Sequence, residues 1–328
     1  MYNTSESQLN EDFAQDIKEG LGSRNQKRVK PKYFYDSEGS HLFEEICRQP
    51  EYYPWRIEAA ILRQYSKKMA CMHHNKKISI IELGSGSSTK TRILLQEVLS
   101  RQSSLFYFPI DVSKTMLYET TNNLSADFSN LRTIGISSDY ADGVDKATRL
   151  ISIDGQIPDR KLIIFLGSSI GNFEPNESIS FLKNLRNKMK KNDNLLIGID
   201  LQKNKKVLEA AYNDEKGITA RFNLNLLTRI NRELRGEFNL GCFVHRAFYN
   251  SFYKRVEMHL ASTKDQQVYV GRLDQTFSFD KNETIHTENS YKYSPEQIRQ
   301  MAEDSEFIIK RNFFDEKKWF NVVLFSPA

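Results

Sequence analysis

Glu82-Leu83-Gly84-Ser85-Gly86 is the first pattern in the 328-residue chain whose residue types could do chemistry. It follows the apolar run 78–83 (ISIIEL) and precedes RILLQEVL, a helical pattern. Glycines at a strand-to-helix turn let backbone approach a ligand, and the helix start offers free N–H groups. A nucleoside or dinucleotide uses such a turn, but so does an ordinary tight turn. The third glycine of the dinucleotide fingerprint is absent, and no G-x-x-x-x-G-K-[ST] phosphate loop occurs. Asp111 ends the next apolar stretch, roughly 25 residues past the glycines, where an acid can accept both ribose hydroxyls. It could equally cap a strand end. Asp139-Tyr140 follows a third stretch, and offers a carboxylate for an adenine amino group with an aromatic ring beside it, or merely a surface turn. Ligands of parallel sheets gather at the carboxyl ends of strands, so three such positions together weigh more than any one.

The surrounding elements must bring these ends together. Apolar runs at 78–83, 105–110, 132–136, 161–166 and 194–200 read as strands, with helices at 113–124 and 173–189. That alternation predicts an α/β fold with a parallel, doubly wound sheet. Upstream, 7–21 reads as a helix, an aromatic-rich stretch is punctuated by Pro50 and Pro54, and 58–69 is helical. After Asp200 the texture changes, with polar helical residues at 201–236 and an alternating, antiparallel β pattern at 243–290. Ser294-Pro295 starts a helix, and 307–313 and 319–325 form a closing hairpin joined by DEKK. The closing hairpin and Glu82 on the first strand favour S-adenosylmethionine over a nicotinamide cofactor. A sulfonium has no pyrophosphate to cradle, so the missing third glycine matters little.

Composition removes other classes. Lys+Arg number 47 and Asp+Glu 42, a net charge of +5, too mild to demand a nucleic-acid partner. No apolar run approaches the roughly 18 residues of a membrane span, and the acidic N-terminus is not a secretory signal. The three cysteines are far apart, which argues against a disulfide framework. The six histidines (41, 73, 74, 245, 259, 286) show no metal-ligand spacing, so no metal is expected. His73-His74 lies in a polar loop and is expected to be exposed. The expectation is a soluble, cytoplasmic monomer that acts on a small molecule and touches neither nucleic acid nor membrane.

KYFYDSEGSHLFEEI, PEYYPWRIEAAIL, ELGSGSSTKT, PIDVS, FLGSSIGNF, AYNDEKGITARFNLNLLTRINREL, RVEMHL and TENSYKY are long, ordered and unusual motifs. Through them, from about residue 30 to the C-terminus, the chain resembles the histidine-specific N-alpha-methyltransferases of the ergothioneine pathway. The resemblance implies a class I (Rossmann-like) methyltransferase sheet over 58–200 and 292–328. It also implies a second, α+β substrate-binding domain from 1–57 and 201–291, with the active site in the cleft between. It assigns Gly84, Lys90, Asp111, Asp139 and Tyr140 to S-adenosylmethionine. Tyr35 and Tyr52 match substrate-pocket tyrosines, and Asn172 and Tyr212 the pair on the substrate's amino and carboxylate end. Asn172, Tyr212 and Tyr35 are the implied catalytic set. Met258, Glu288 and Ser290 match the imidazole pocket. Plain structural readings stand beside these: core aromatics for the PEYYP tyrosines, a core strand position for Met258, and a left-handed turn for Asn172.

The implied activity is methylation of the α-amino group of L-histidine to the trimethylated betaine hercynine, with no metal. Three rivals remain. A nucleic-acid methyltransferase is disfavoured because the [DN]-P-P-[YFW] motif is absent. A non-catalytic S-adenosylmethionine-binding protein is disfavoured because both pockets keep their residues. A relative acting on another aromatic amino acid, such as a tryptophan derivative, is the nearest alternative.

Overall fold

The computed structural model describes residues 2–3, 6–71, 76–158 and 160–328. His73 and His74 therefore lie outside the described residues. The chain divides into two compact units. The first comprises Met1–Asn3, Pro54–Gln202 and Tyr291–Ala328, the second Thr4–Tyr53 and Lys203–Ser290.

The first unit is an α/β fold built on one mixed sheet. Its strand order is Tyr2–Asn3, Ile136–Ser137, Leu105–Asp111, Ser79–Leu83, Lys161–Phe165, Asn194–Asp200, Phe320–Pro327, Phe307–Phe314. Strands are parallel up to Asn194–Asp200. Phe320–Pro327 then inserts antiparallel beside Asn194–Asp200 and pairs with Phe307–Phe314 as a hairpin. Ser79–Leu83, Leu105–Asp111 and Lys161–Phe165 are buried at every position. Helices cover both faces, which is why these strands read as unbroken apolar runs. The register sets Leu83 opposite Ile110 and Ile110 opposite Ile136, so the glycine loop, Asp111 and Asp139 leave the sheet at one edge.

Several elements differ from the sequence expectation. The helix expected over 58–69 is Tyr53–Cys71. Pro54 sits in its first turn, where a missing N–H breaks no helical bond. The strand expected over 132–136 is Leu131–Thr133 and Ile136–Ser137, two pieces in one register interrupted at Ile134 and Gly135. Tyr140–Ile153 is a helix that sequence reading passed over, although Val144, Ala147 and Ile151 bury one face at helical spacing. Tyr2–Asn3 joins the first unit's sheet rather than the second domain.

In the second unit, a four-stranded sheet runs Lys27–Arg28, Thr284–Tyr291, Arg255–Ser262, Phe243–Asn250. A ribbon of Gln266–Val270 and Gln275–Phe279 stands beside it in the sequence. Helix Ile218–Leu234 is far less polar than expected, burying Phe222, Leu226, Leu227, Ile230 and Leu234 along one stripe. Phe34 stacks on Phe222 at 4.4 Å.

The first unit carries a fully buried ion pair. Lys292 Nζ lies 2.8 Å from Asp200 Oδ2, and neither side chain has any exposure. Asp200 ends a central strand, and its N–H donates to Ser168 Oγ at 2.9 Å. Removing one member strands a charge without water, at a cost of about 3–5 kcal/mol. Lys292→Met should therefore lower the unfolding free energy by about that amount in urea denaturation. Lys292→Met with Asp200→Leu should recover much of it. Equal losses in the single and double variants would show that charge burial is not the cause.

Candidate active site

The glycine loop leaves Leu83 in left-handed backbone, with Gly84 at φ 67 and Gly86 at φ 49. Gly84 N and Ser85 N both donate to Ile110 O, at 2.9 and 3.1 Å, which folds the loop over the neighbouring strand. A Cβ on Gly84 would lie 3.1 Å from the Tyr140 hydroxyl, whereas one on Gly86 would meet nothing within 4 Å. Open space over a bare backbone is what a docked nucleoside needs. The Ser85 hydroxyl is buried and has no hydrogen-bond partner among the described residues. An orphaned donor beside an open glycine fits a ligand seated on this loop.

Asp111 is 8% exposed, and its two oxygens accept from Gly86 N at 2.8 Å and Ser113 N at 2.9 Å. Burial raises its pKa, and backbone donors from Ser113, Gly86 and Val112 oppose the rise. These backbone donors leave the carboxylate with acceptor capacity for a further donor. Asp139 is exposed and caps helix Tyr140–Ile153, accepting from Asp142 N at 3.0 Å. The surface-turn reading is thus refined to an N-cap with one oxygen still available. Tyr140 packs edge-on against Phe165 at 5.2 Å, beside Gly84.

Two buried carboxylates support this loop, Glu58, which sequence reading missed, and Glu82, which it noted only as a first-strand acid. Glu58, with no exposure, accepts from Lys90 Nζ and from Gly167 N at 2.9 Å. Lys90 is therefore tied to an internal partner as well as placed on the loop. The signal for Glu58 was an acid inside the apolar run IEAAIL. Glu82 accepts from Thr91 Oγ1 and Tyr107 OH, with Ser88 Oγ at 3.4 Å. It underpins the loop from inside the core. Asn172 ends the short 3-10 turn Ser169–Asn172 and is half-buried. The left-handed residue of that turn is Ser168, at φ 58, so the turn does not require Asn172 for its backbone.

The second unit gathers most of its expected residues. Tyr212 is the C-cap of helix Lys205–Ala211, and its hydroxyl donates to Ser290 Oγ at 2.6 Å. Tyr52 meets Tyr212 edge-on at 6.1 Å. Burial lifts the Tyr52 phenol well above its ordinary pKa, and Tyr212, Cys47, Tyr35 and Glu288 add to the rise. Tyr52 thus stays a protonated donor, with the Glu288 carboxylate close enough to act on it. Tyr35 is half-buried and packs on Phe43 at 5.7 Å and Phe222 at 5.8 Å. Phe43 in turn meets Tyr52 at 6.1 Å, an aromatic bridge that sequence reading overlooked. Met258 is 2% exposed on strand Arg255–Ser262, which also satisfies its core reading. His245 was overlooked too. Its Nδ1 accepts from Asn223 Nδ2 at 2.9 Å, so Nε2 carries the proton and donates to Tyr212 O at 2.9 Å. Glu257, His259 and His286 form a separate cluster on two adjacent strands of this unit.

The parallel sheet closed by an antiparallel hairpin, with a glycine loop and a strand-end acid, defines the class I methyltransferase fold. The chain belongs to the family of histidine-specific, S-adenosylmethionine-dependent methyltransferases, which matches residues 13–327. It is 39% identical to the histidine N-alpha-methyltransferase of Mycobacterium tuberculosis over 86% of this chain and 85% of that protein. The like-named protein of Mycolicibacterium smegmatis is 37% identical over 88% and 86%. An L-tryptophan methyltransferase of Psilocybe serbica is 27% identical over 92% and 89%. No helix of the described residues is long and apolar enough to cross a membrane.

Glu82 makes the support beneath the loop pH-sensitive. Burial raises its pKa to about 7, against hydrogen bonds from Thr91 and Tyr107 and the charge of Lys90. A folded-state pKa above the unfolded 4.5 means that the folded protein holds an extra proton between those values. Stability from this group is therefore greatest below about pH 4.5 and falls as pH rises towards 7, by on the order of 3 kcal/mol. Glu82→Gln removes the titration. Denaturation of both proteins from pH 5 to pH 8 should show the wild type losing ground to the variant as pH rises. Parallel curves would mean that Glu82 titrates normally.

Proposed function

We propose that the chain transfers methyl groups from S-adenosylmethionine to the α-amino nitrogen of L-histidine, three in succession, giving the betaine hercynine for ergothioneine biosynthesis. The first unit binds the donor and the second the amino acid. The observation that carries this reading is the Tyr212–Ser290 hydrogen bond within a buried set that includes Tyr52 and feels the Glu288 charge. An aromatic wall with hydroxyl and carboxylate groups suits a small polar ring. The names of the two mycobacterial relatives support the same substrate.

When bound, the donor supplies a methyl group on a sulfonium, a leaving group that needs no acid or metal to depart. The chain's part is to hold a neutral amine in line and keep water away, and alignment of this kind contributes several kcal/mol. Asp111 accepts the ribose hydroxyls while its backbone bonds keep it aimed. Gly84 gives access to the donor and Lys90 offers it a cation steadied by Glu58. Asp139 and Tyr140 take the adenine. Asn172 and Tyr212 are assigned to the substrate's amine and carboxylate end, and Tyr35 completes the proposed catalytic set. Tyr52 donates as a phenol, Glu288 and Ser290 meet the imidazole nitrogens, and Met258 limits the room.

Asp111→Asn should weaken donor binding about 10- to 100-fold in calorimetry, because a charged acceptor is worth about 1.5–3 kcal/mol. Unchanged affinity would put the ribose elsewhere. The substrate is tested by Glu288→Ala, with kcat/KM for histidine and tryptophan and mass spectrometry of the products. A buried ring nitrogen left without its partner costs about 1–3 kcal/mol, so the histidine-to-tryptophan ratio should fall at least fivefold. In the wild type, histidine should gain one, two and three methyl groups. A preference for tryptophan, or a ratio unmoved in the variant, would defeat the histidine reading.

A further inference from the structure

Glu257 and His259 are two residues apart on strand Arg255–Ser262, and so project to the same side of it. His286 stands on the adjacent strand Thr284–Tyr291. One ligand atom from each of the three lies within 4.8 Å of the others. The two imidazoles stack at 4.7 Å, and Phe248 covers His259 at 5.4 Å. Glu257 and His259 are buried, while half-buried His286 leaves a way in from solvent. The linear sequence hides this group because its members come from two strands far apart in the chain.

Outer partners orient the three side chains. Glu257 Oε1 accepts from Arg255 Nε at 2.8 Å and Asn250 Nδ2 at 3.0 Å, while Oε2 faces His259 Nε2 at 3.1 Å. His259 Nδ1 lies 3.3 Å from Thr284 Oγ1, and His286 Nε2 lies 3.1 Å from Glu288 O. Ligating histidines and carboxylates are held in this way by a second layer of hydrogen bonds. His259 Nε2 faces Glu257 Oε2 as a hydrogen-bond partner, so an ion bound at Nε2 would need the ring proton on Nδ1, where Thr284 Oγ1 can accept it.

We propose that Glu257, His259 and His286 form a binding site for a borderline divalent transition-metal ion of the Zn²⁺ and Ni²⁺ kind, with a fourth position open to solvent. Two nitrogens and one oxygen suit these ions, whereas Ca²⁺ and Mg²⁺ require mostly oxygen ligands. Bonds of about 2.1 Å in a tetrahedron separate ligand atoms by roughly 3.4 Å. The cluster, whose ligand atoms lie within 4.8 Å of one another, must therefore draw in by about an ångström on binding. Arg255 offsets part of the Glu257 charge, which weakens the site without occupying Oε2. A bound ion would tie together the strands that carry Met258 and Glu288.

The test uses the full chain with His73→Asn and His74→Asn, which removes the adjacent histidine pair as a competing chelator. After chelator treatment, Zn²⁺ is titrated calorimetrically and Co²⁺ is followed by its d–d absorption, with no histidine in the buffer. One equivalent should bind, with cobalt bands of the tetrahedral type. His286→Asn and Glu257→Gln should each weaken binding at least tenfold while leaving the circular dichroism unchanged. Because these two substitutions alter different strands, either one that folds is sufficient for the test. The site is refuted if no stoichiometric ion binds, or if binding persists undiminished in a folded variant.

Discussion

Glu58 is the group around which the first unit's site is arranged. A carboxylate with no exposure cannot use water, so its acceptors must be met by the protein. The donors come from the Lys90 ammonium on the glycine loop and from the Gly167 N–H after the next strand. One buried charge therefore links loops that leave two neighbouring strands. The same constraint reaches the adjacent strand, where a Cβ on Gly198 would come within 1.9 Å of Glu58 Oε1. Room for the carboxylate and the absence of a side chain at Gly198 are one requirement.

Glu82 repeats the logic one strand over, with different partners. Its donors are neutral hydroxyls of Thr91, Tyr107 and Ser88, and the charge of Lys90 acts on it from outside that set. Glu58 is paired directly with a cation, whereas Glu82 is held by hydroxyls, and burial pushes its carboxyl up to about 7. Both carboxylates tie residues of the glycine loop and its helix start to neighbouring elements, while Gly86 leaves open space above the loop.

In the second unit, rings rather than ions set the geometry. Phe222 on the long helix packs against Phe34, Tyr35 and Phe43, and Phe43 reaches Tyr52. Tyr212 is fixed at both ends, its carbonyl by His245 and its hydroxyl by Ser290. Such an arrangement keeps polar tips in a defined place inside an apolar wall, which is what selection of a small amino acid requires.

Most of the order of strands and helices was legible because it depends on local pattern, although the helix Tyr140–Ile153 was passed over. Buried parallel strands show as apolar runs, caps such as Ser294 with Pro295 act within one turn, and the glycine loop lies next to its own strand. Family motifs added candidate site residues by position, and of these Tyr212 bonds Ser290 and packs against Tyr52. What local pattern could not reveal were partners distant in sequence. Glu58 and Gly167 are 109 residues apart, and Tyr212 and Ser290 are 78 apart. The break at Ile134 and Gly135 and the join of Tyr2–Asn3 to the sheet edge also depend on a neighbouring strand. The sequence by itself determined which segments become strands and helices and which ends carry polar groups. Only the tertiary structure decided which buried charges meet, because a hydrogen bond depends on distance in space and chain spacing does not encode that.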